Sequence, residues 1–188
     1  MSQRLEAITE AKSVALPRRD RLELAISAHY ELVWRMLRRL GVLDAAVEDA
    51  AQRVMIVLAA RLDDVRPGAE RAFMVATAVR VAADFRKVRA RAREHLDAEL
   101  LAAMPSHAPL ADELLDRARA RVLLDVVLNQ MPDELRTIFV LFKLEELKMA
   151  AIAELLSLAP GTVASRLRRA RAQFELAAIK LSQPRNPP

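Results

Sequence analysis

The chain has 188 residues, 30 of them Lys or Arg and 25 Asp or Glu, and its net charge of +5 suggests a polyanionic partner. The absence of cysteine excludes disulfides and thiolate metal sites, and three scattered histidines offer no paired ligand spacing, so we expect neither metal nor cofactor. Because it lacks both a signal-peptide apolar core and the roughly 18 apolar residues of a membrane span, we expect a cytoplasmic protein without membrane insertion.

Helix-forming residues dominate the composition. Only three residues are glycine, and Ala, Leu, Arg and Glu are abundant, which predicts an all-α fold. The first helix is expected from about Asp20 to Leu40, and Gly41 supplies its C-terminal stop. Its apolar residues recur at spacings of three and four and form one stripe: Ile26, Tyr30, Val33, Leu37 and Leu40.

A second helix is expected to follow, with Asp44 as its N-cap and its end near Leu62. Its inward positions are predicted at helical spacing: Val47, Ala51, Val54 and Leu58. Acidic residues outnumber basic ones between Gly41 and Asp64, so the outer face is not built for DNA and must face protein or solvent. From the residues alone, a solvated face is the simpler interpretation.

The turn residues Arg66, Pro67 and Gly68 precede a third helix, predicted from about Ala69 to Ala92. Its inward side is predicted to carry Phe73, Ala76, Val79 and Ala83. A basic cluster occupies its second half: Arg80, Arg86, Lys87, Arg89, Arg91 and Arg93. Cations at a solvated helix end would explain one such cluster, because they complement the helix dipole.

Two prolines among small and polar residues, Pro105 and Pro109, predict a flexible linker after these three helices. We therefore expect two small helical domains, residues 20–93 and 112–180, joined by a linker at 94–111. In the second domain, one helix ends near Gln130, and Pro132 opens another that ends near Glu145.

The end of the second domain has the pattern of a helix-turn-helix. A short helix from Met149 to Ser157 meets a tight turn and then a helix from about Gly161 to Ile179. One face of the last helix is apolar: Val163, Leu167, Ala170 and Phe174. The rest is strongly basic and is expected to contact DNA through Thr162, Ser165, Arg166, Arg168, Arg169 and Arg171.

An ordinary amphipathic helical pair with a solvated basic face is the competing interpretation of this segment. Two basic surfaces in two linked domains fit bipartite contact with one DNA molecule better. The sequence contains no catalytic arrangement, because its carboxylate pairs have neither a histidine nor a glycine-rich phosphate loop beside them.

Several of these segments resemble the extracytoplasmic-function (ECF) branch of the sigma-70 family. Residues 131–136, 152–156 and 161–171 resemble the family's fourth conserved region, whose helix-turn-helix reads the upstream −35 promoter element. Residues 44–55 resemble its polymerase-binding helix, and residues 73–89 fall where the family melts and reads the downstream −10 element.

The resemblance implies a sigma factor that directs promoter recognition and transcription initiation without being an enzyme. It assigns the −35 contacts to the six residues named above and the −10 contacts to Arg80, Arg86, Lys87 and Arg89. It assigns docking on the clamp of the largest subunit of RNA polymerase to Asp44, Glu48, Asp49 and Gln52. It also implies that the loop at residues 66–70 captures an unpaired base.

Further implied properties are a cytoplasmic, nucleoid-associated location and an anti-sigma partner. The first domain departs from the family pattern, with Phe73 where Trp is common and Arg80 where Asn is common. Two alternatives stay open. A helix-turn-helix regulator that acts without polymerase would explain residues 131–175 but leave the first domain without a purpose. A helical adaptor that never binds DNA would have no salt-dependent DNA affinity.

Overall fold

The computed structural model describes residues 16–95 and 122–182, and every regular element within these two ranges is helical, as predicted. The first range contains α1 (Arg18–Arg39), α2 (Asp44–Arg61), a 3-10 turn (Leu62–Asp64) and α3 (Glu70–His95). The second contains α4 (122–129), α5 (Asp133–Phe139), a π-helical turn (Val140–Leu144), α6 (Met149–Leu156) and α7 (Pro160–Ser182). No helix within these ranges is long and apolar enough to cross a membrane.

The described residues divide into two compact units, an N-terminal unit (residues 16–38 and 42–87) and a C-terminal unit (residues 39–41, 88–95 and 122–182). Most of the predicted linker lies outside the described residues. Helix α3 continues to His95, two residues past the predicted end of the first domain. The domain boundaries therefore remain predictions. The one described difference is that α3 ends two residues later than the predicted first domain.

The core of the N-terminal unit follows the predicted helical stripes. On α1, Val33 and Leu37 are fully buried, and Ile26 and Tyr30 are partly buried. Leu40, which follows the last residue of α1, is also fully buried. All four predicted inward residues of α2 are fully buried: Val47, Ala51, Val54 and Leu58. Full burial of a Val or Leu side chain stabilises a fold by about 1.5–3 kcal/mol, so this stripe contributes strongly to holding α2 in place.

Asp44 is not the N-cap of α2, which corrects the sequence prediction. The N-cap is Leu43, whose extended backbone (φ −64°, ψ 145°) precedes the helix without a side-chain capping bond. Asp44 is the first helical residue, and its Oδ1 lies 2.9 Å from Arg38 Nε at the end of α1. The carboxylate is thus used to pair with α1 while still lying in the first turn, where the helix dipole favours negative charge.

Helix α3 buries a different face from the predicted one. Its most buried apolar residues are Met74, Val75, Ala78, Val81 and Ala82. Of the predicted inward set, Val79 is buried, but Phe73, Ala76 and Ala83 are only partly buried. Apolar residues surround this helix, so its periodicity did not select one face. Glu70 is buried at its first position, on the same face as the buried residues Met74 and Ala78.

Glycine ends one helix and forms the turn before another, as predicted. Gly41 has φ 88°, and the following Val42 N–H donates to Leu37 O at 3.1 Å, which closes the last turn of α1. Gly68 has φ 86° between Pro67 and α3. A positive φ is costly for residues with a Cβ, so both turns depend on glycine.

The C-terminal unit is built around α5 and α7. Pro132 immediately precedes α5, and Phe139 stacks on Phe174 of α7 with ring centroids 4.6 Å apart. The helix predicted to end near Glu145 does so, although its last five residues, Val140–Leu144, form a π-helical turn. Ile138 and Leu141 are fully buried here and bring this segment against the helices that follow.

Candidate nucleic-acid interface

Helices α6 and α7 form the predicted helix-turn-helix. Helix α6 ends at Ser157, whose left-handed backbone (φ 53°) reverses the chain, and Leu158 N–H then donates to Ala153 O at 2.9 Å. Pro160 begins α7, one residue before the predicted start. Helix α7 packs against both α5 and α6, which leaves its opposite side as the outer face of the motif.

The inner face of α7 is the predicted one. Val163 and Ala170 are fully buried, Leu167 is nearly so, and Phe174 is partly buried beneath Phe139. These residues fix the rotation of the helix about its axis. The opposite face therefore carries the exposed side chains, among them Arg168 and Arg169.

The four arginines of α7 are not equivalent, although the sequence pattern treated them alike. Arg168 and Arg169 are exposed on the outer face. Arg166 Nη2 lies 2.7 Å from Glu134 Oε2, in the first turn of α5. The Arg171 guanidinium lies over the Phe142 ring, 5.1 Å from its centroid. A nucleic acid on the outer face would therefore meet Arg168 and Arg169 directly, whereas Arg166 and Arg171 have intramolecular partners.

The polar residues at the start of α7 are already engaged in the helix. Thr162 N–H donates to Ala159 O at 2.9 Å, so a contact between Thr162 and DNA has to come from its hydroxyl. Ser165 Oγ donates to Thr162 O at 3.0 Å, which leaves its oxygen able to accept a bond. At Gly161 nothing lies within 4 Å of the position that a Cβ would take, so this end of the helix is open.

The predicted −10 residues on α3 divide between two sides of that helix. Arg80 and Lys87 are exposed and seven residues apart, which places them on the same side, with exposed Asp84 between them. Arg86 and Arg89 point elsewhere and are partly buried. Phe73 is partly exposed at the start of the same helix, and exposed Arg66 and Pro67 precede it. This differs from the core position expected for Phe73.

Three acidic residues and one glutamine of α2 form one exposed surface, which we call the α2 face: Asp44, Glu48, Asp49 and Gln52. The Tyr30 hydroxyl donates a hydrogen bond to the Glu48 carboxylate. This bond, burial and the carboxylate's charge raise the pKa of Tyr30 above its ordinary value of 10.0. Ile56, four residues after Gln52, is 61% exposed on the same side. The sequence reasoning missed Ile56, although the helical spacing that places Gln52 outward also places Ile56 there.

Known proteins resemble this chain in sequence and in fold. Residues 121–174 match the family model for sigma-70, region 4. Over 160 residues the chain is 26% identical to the ECF RNA polymerase sigma factor SigE of Mycolicibacterium smegmatis, an alignment that covers 85% of this chain. The chain spans 61% of the length of that relative.

Two solved structures share the fold. The structure of CnrH in complex with the cytosolic domain of CnrY matches with a TM-score of 0.63 and 20% identity, covering 95% of this chain and 99% of that one. The sigma factor RpoE in complex with the anti-sigma factor NepR, from Bartonella quintana, matches with a TM-score of 0.62 and 18% identity, covering 84% and 96%.

The matched region-4 segment begins just before α4 and ends within α7, so it contains α6, the turn and most of α7. The relative extends the similarity over most of the chain, and the solved structures agree with the all-α fold. The chain therefore contains a segment that matches sigma-70 region 4, and it resembles an ECF sigma factor over most of its length.

Proposed function

We propose that this protein is a sigma factor that binds bacterial RNA polymerase and directs it to promoters, without catalysing a reaction itself. It would act in the cytoplasm on nucleoid DNA. The observation that carries the proposal is the position of Arg168 and Arg169, exposed on the outer face of α7 within the segment that matches sigma-70 region 4. An outer helix face that carries two adjacent arginines is suited to the major groove of DNA.

In this proposal, α7 binds the upstream promoter element. Arg168 and Arg169 contact the DNA directly. Ser165 Oγ accepts a hydrogen bond from a base or lies near the sugar-phosphate backbone. Thr162, Arg166 and Arg171 lie at the edges of this surface and contact phosphates. Arg166 must then exchange its Glu134 partner for a phosphate, which is feasible because both side chains are partly exposed.

Helix α3 and the turn before it bind the downstream element. Arg80 and Lys87 are exposed on one side of α3 and would hold phosphates of the separated strand. Arg86 and Arg89, on other sides of the helix, would contact the strand farther along its path. The loop at residues 66–69 would receive an unpaired base, and the partly exposed ring of Phe73 would stack against a neighbouring one.

The α2 face is the proposed docking surface for the clamp of the largest polymerase subunit. It combines the carboxylates of Asp44, Glu48 and Asp49 with the amide of Gln52. Exposed Ile56 adds an apolar centre to this polar surface, an arrangement typical of protein interfaces. We therefore include Ile56 in the docking surface and propose that it packs against an apolar side chain of the clamp.

An anti-sigma factor is a further proposed partner. The RpoE structure with a similar fold is a complex with the anti-sigma factor NepR, which supports a partner of the same kind here.

A pull-down with purified core polymerase tests the docking proposal. We expect the wild-type chain to be retained and the Asp49→Arg and Ile56→Asp variants to be lost. Asp20→Arg is the matched control, because Asp20 is an exposed acid on a different helix, α1. If core polymerase retains both α2 variants, the α2 face is not the docking surface. If the chain binds duplex DNA in a salt-sensitive way but never binds polymerase, it is a regulator of another kind.

A further inference from the structure

Two arginines in the first turns of α1 hold the connection between α2 and α3. Arg21 uses three of its nitrogens: Nε donates to Glu70 Oε1 at 2.5 Å, Nη1 to Leu62 O at 3.3 Å and Nη2 to Val65 O at 2.6 Å. Leu62 and Val65 come just before the loop at residues 66–69, and Glu70 comes just after it. One guanidinium therefore joins both ends of this loop.

Arg18 holds the same connection from one turn earlier on α1. Its Nε lies 3.1 and 3.0 Å from the two carboxylate oxygens of Asp63, and its Nη2 donates to Ala59 O at 2.6 Å. The two arginines differ in burial. The Arg18 and Asp63 side chains are 53% and 74% exposed, whereas those of Arg21 and Glu70 are 11% and 7% exposed. Water competes weakly for the buried pair, so Arg21 is the stronger constraint.

The loop between these anchors has little freedom of its own. Pro67 restricts its backbone φ, Gly68 adopts φ 86°, and Ala69 N–H donates to Arg66 O at 2.9 Å. With both ends bonded to Arg21, the loop is held in one conformation before any ligand arrives. Arg66 and Pro67 are nevertheless exposed, so the surface that the loop presents is accessible.

We propose that Arg21, together with Glu70, is a positioning residue that pre-forms the 66–69 loop for the base of the downstream promoter element. The inference rests on the proposed function, in which this loop receives an unpaired base. Arg21 itself does not touch DNA, because its guanidinium is buried against the loop backbone. It acts by removing the cost of ordering the loop on binding, and this cost would otherwise weaken the contact with the preferred base.

Arginine is suited to this task in a way that lysine is not. Its planar guanidinium has donors on three separate nitrogens and can bond a carboxylate and two carbonyl oxygens at once. A lysine has a single ammonium nitrogen, which cannot lie close to all three acceptors in this arrangement. Arg21→Lys keeps the positive charge for Glu70 but gives up the loop carbonyls. This variant separates the positioning of the loop from the mere presence of a buried ion pair.

The test uses the full chain bound to core polymerase and fluorescent single-stranded oligonucleotides. The wild-type complex first selects its preferred downstream element from a random library. Affinity is then measured for oligonucleotides with each base at each position, and for a scrambled strand. The variants are Arg21→Lys, Arg21→Met and Glu70→Gln. Arg19→Met is the matched control, because Arg19 lies on the same turn of α1 and pairs with Glu23 of its own helix, 3.0 Å away.

We expect Arg21→Lys and Glu70→Gln to lower the discrimination between preferred and other bases at one position by at least about fivefold, the lower end of one base contact. Their affinity for core polymerase and for the scrambled strand should stay within about twofold of wild type, as should every value for Arg19→Met. A purely structural role would instead weaken all of these affinities together. If Arg21→Met does not fold, the other two variants still decide the question.

Full discrimination in folded Arg21→Lys and Glu70→Gln proteins would overturn the inference and leave the proposed function intact. A wild-type complex with no base preference in the single strand would overturn the proposed function, and the inference with it. The wild-type and variant measurements therefore separate the two failures.

Discussion

Arg166 on α7 and Glu134 on α5 form an ion pair in the C-terminal unit, with Nη2 and Oε2 2.7 Å apart. Both side chains are partly exposed, at 26% and 48%, so the pair contributes only about 0–1 kcal/mol to stability. Its larger consequence concerns binding. The carboxylate neutralises one of the cations on the proposed DNA surface and lies close to where a phosphate would approach.

Replacing Glu134 by Gln should therefore strengthen binding to upstream-element duplex DNA by a few fold. The change frees Arg166 for a phosphate and removes a negative charge that repels the backbone, so the salt dependence should steepen by about one phosphate contact. Fluorescence anisotropy over a series of salt concentrations measures both quantities. Asp133→Asn, which alters the neighbouring exposed carboxylate, is the control. Weaker binding by Glu134→Gln would contradict a role for Arg166 at the DNA.

Arg168→Ala and Arg169→Ala should impair upstream-element binding more than Arg171→Ala. All three arginines are exposed, but the Arg171 guanidinium lies over the Phe142 ring, whereas Arg168 and Arg169 lie on the outer face. An arginine that reads a base should cost about 1–3 kcal/mol when removed and should relax the preference at one position. Removal of an arginine that contacts a phosphate should weaken binding to all DNA sequences alike. Competition binding with single-base variants of the duplex separates these cases. A greater loss for Arg171→Ala would reverse our assignment of the outer face.

Leu167→Ala should destabilise the C-terminal unit by about 2–5 kcal/mol, because Leu167 is buried between α7 and its neighbours. Leu176→Ala provides an internal comparison on the same helix. Leu176 is 61% exposed, so the same truncation should change the free energy of unfolding by no more than about 0.5 kcal/mol. Urea denaturation followed by circular dichroism measures the difference. Equal effects of the two substitutions would show that the face assigned to the core is wrong.

Tyr30 should titrate at a higher pH than an ordinary tyrosine, because the Glu48 carboxylate accepts its hydrogen bond and opposes formation of tyrosinate. The pKa is raised in the folded state, so the stabilisation is present below about pH 10 and is lost as the pH rises through the raised pKa. Glu48→Gln should lower the pKa of Tyr30 towards 10.0.

The chain contains a single tyrosine, so tyrosinate absorbance reports this group alone. Asp49→Asn should leave the titration midpoint unchanged, because no hydrogen bond joins Asp49 to Tyr30. A midpoint that is the same in wild type and Glu48→Gln would exclude the interaction between Tyr30 and Glu48 in solution.

The parts of the fold that depend on local spacing were predictable from the sequence. Val163, Leu167 and Ala170 recur at helical spacing beside a turn, and that pattern was enough to predict the inner face of α7. The face of α3 was not predictable, because apolar residues surround that helix. One of its buried residues is an acid, Glu70, which pairs with Arg21, 49 residues earlier in the chain.

The same limit applies to the candidate site. Sequence alone selected the arginines of α7 but could not sort them, because Glu134 and Phe142 approach Arg166 and Arg171 only after the helices pack. Such partners are far apart in sequence and follow no periodic pattern. Charge and spacing therefore predict a candidate binding surface, and packing decides which of its side chains already have partners within the protein.

We propose that this chain gives polymerase its promoter specificity. The decisive experiment is run-off transcription with purified bacterial core polymerase and a library of promoter fragments. We predict transcripts from fragments that share a two-part motif, loss of these transcripts with the double variant Glu48→Arg/Asp49→Arg, and their retention with the control Asp20→Arg. If core polymerase gives the same transcripts with and without the wild-type chain, the protein is not a sigma factor.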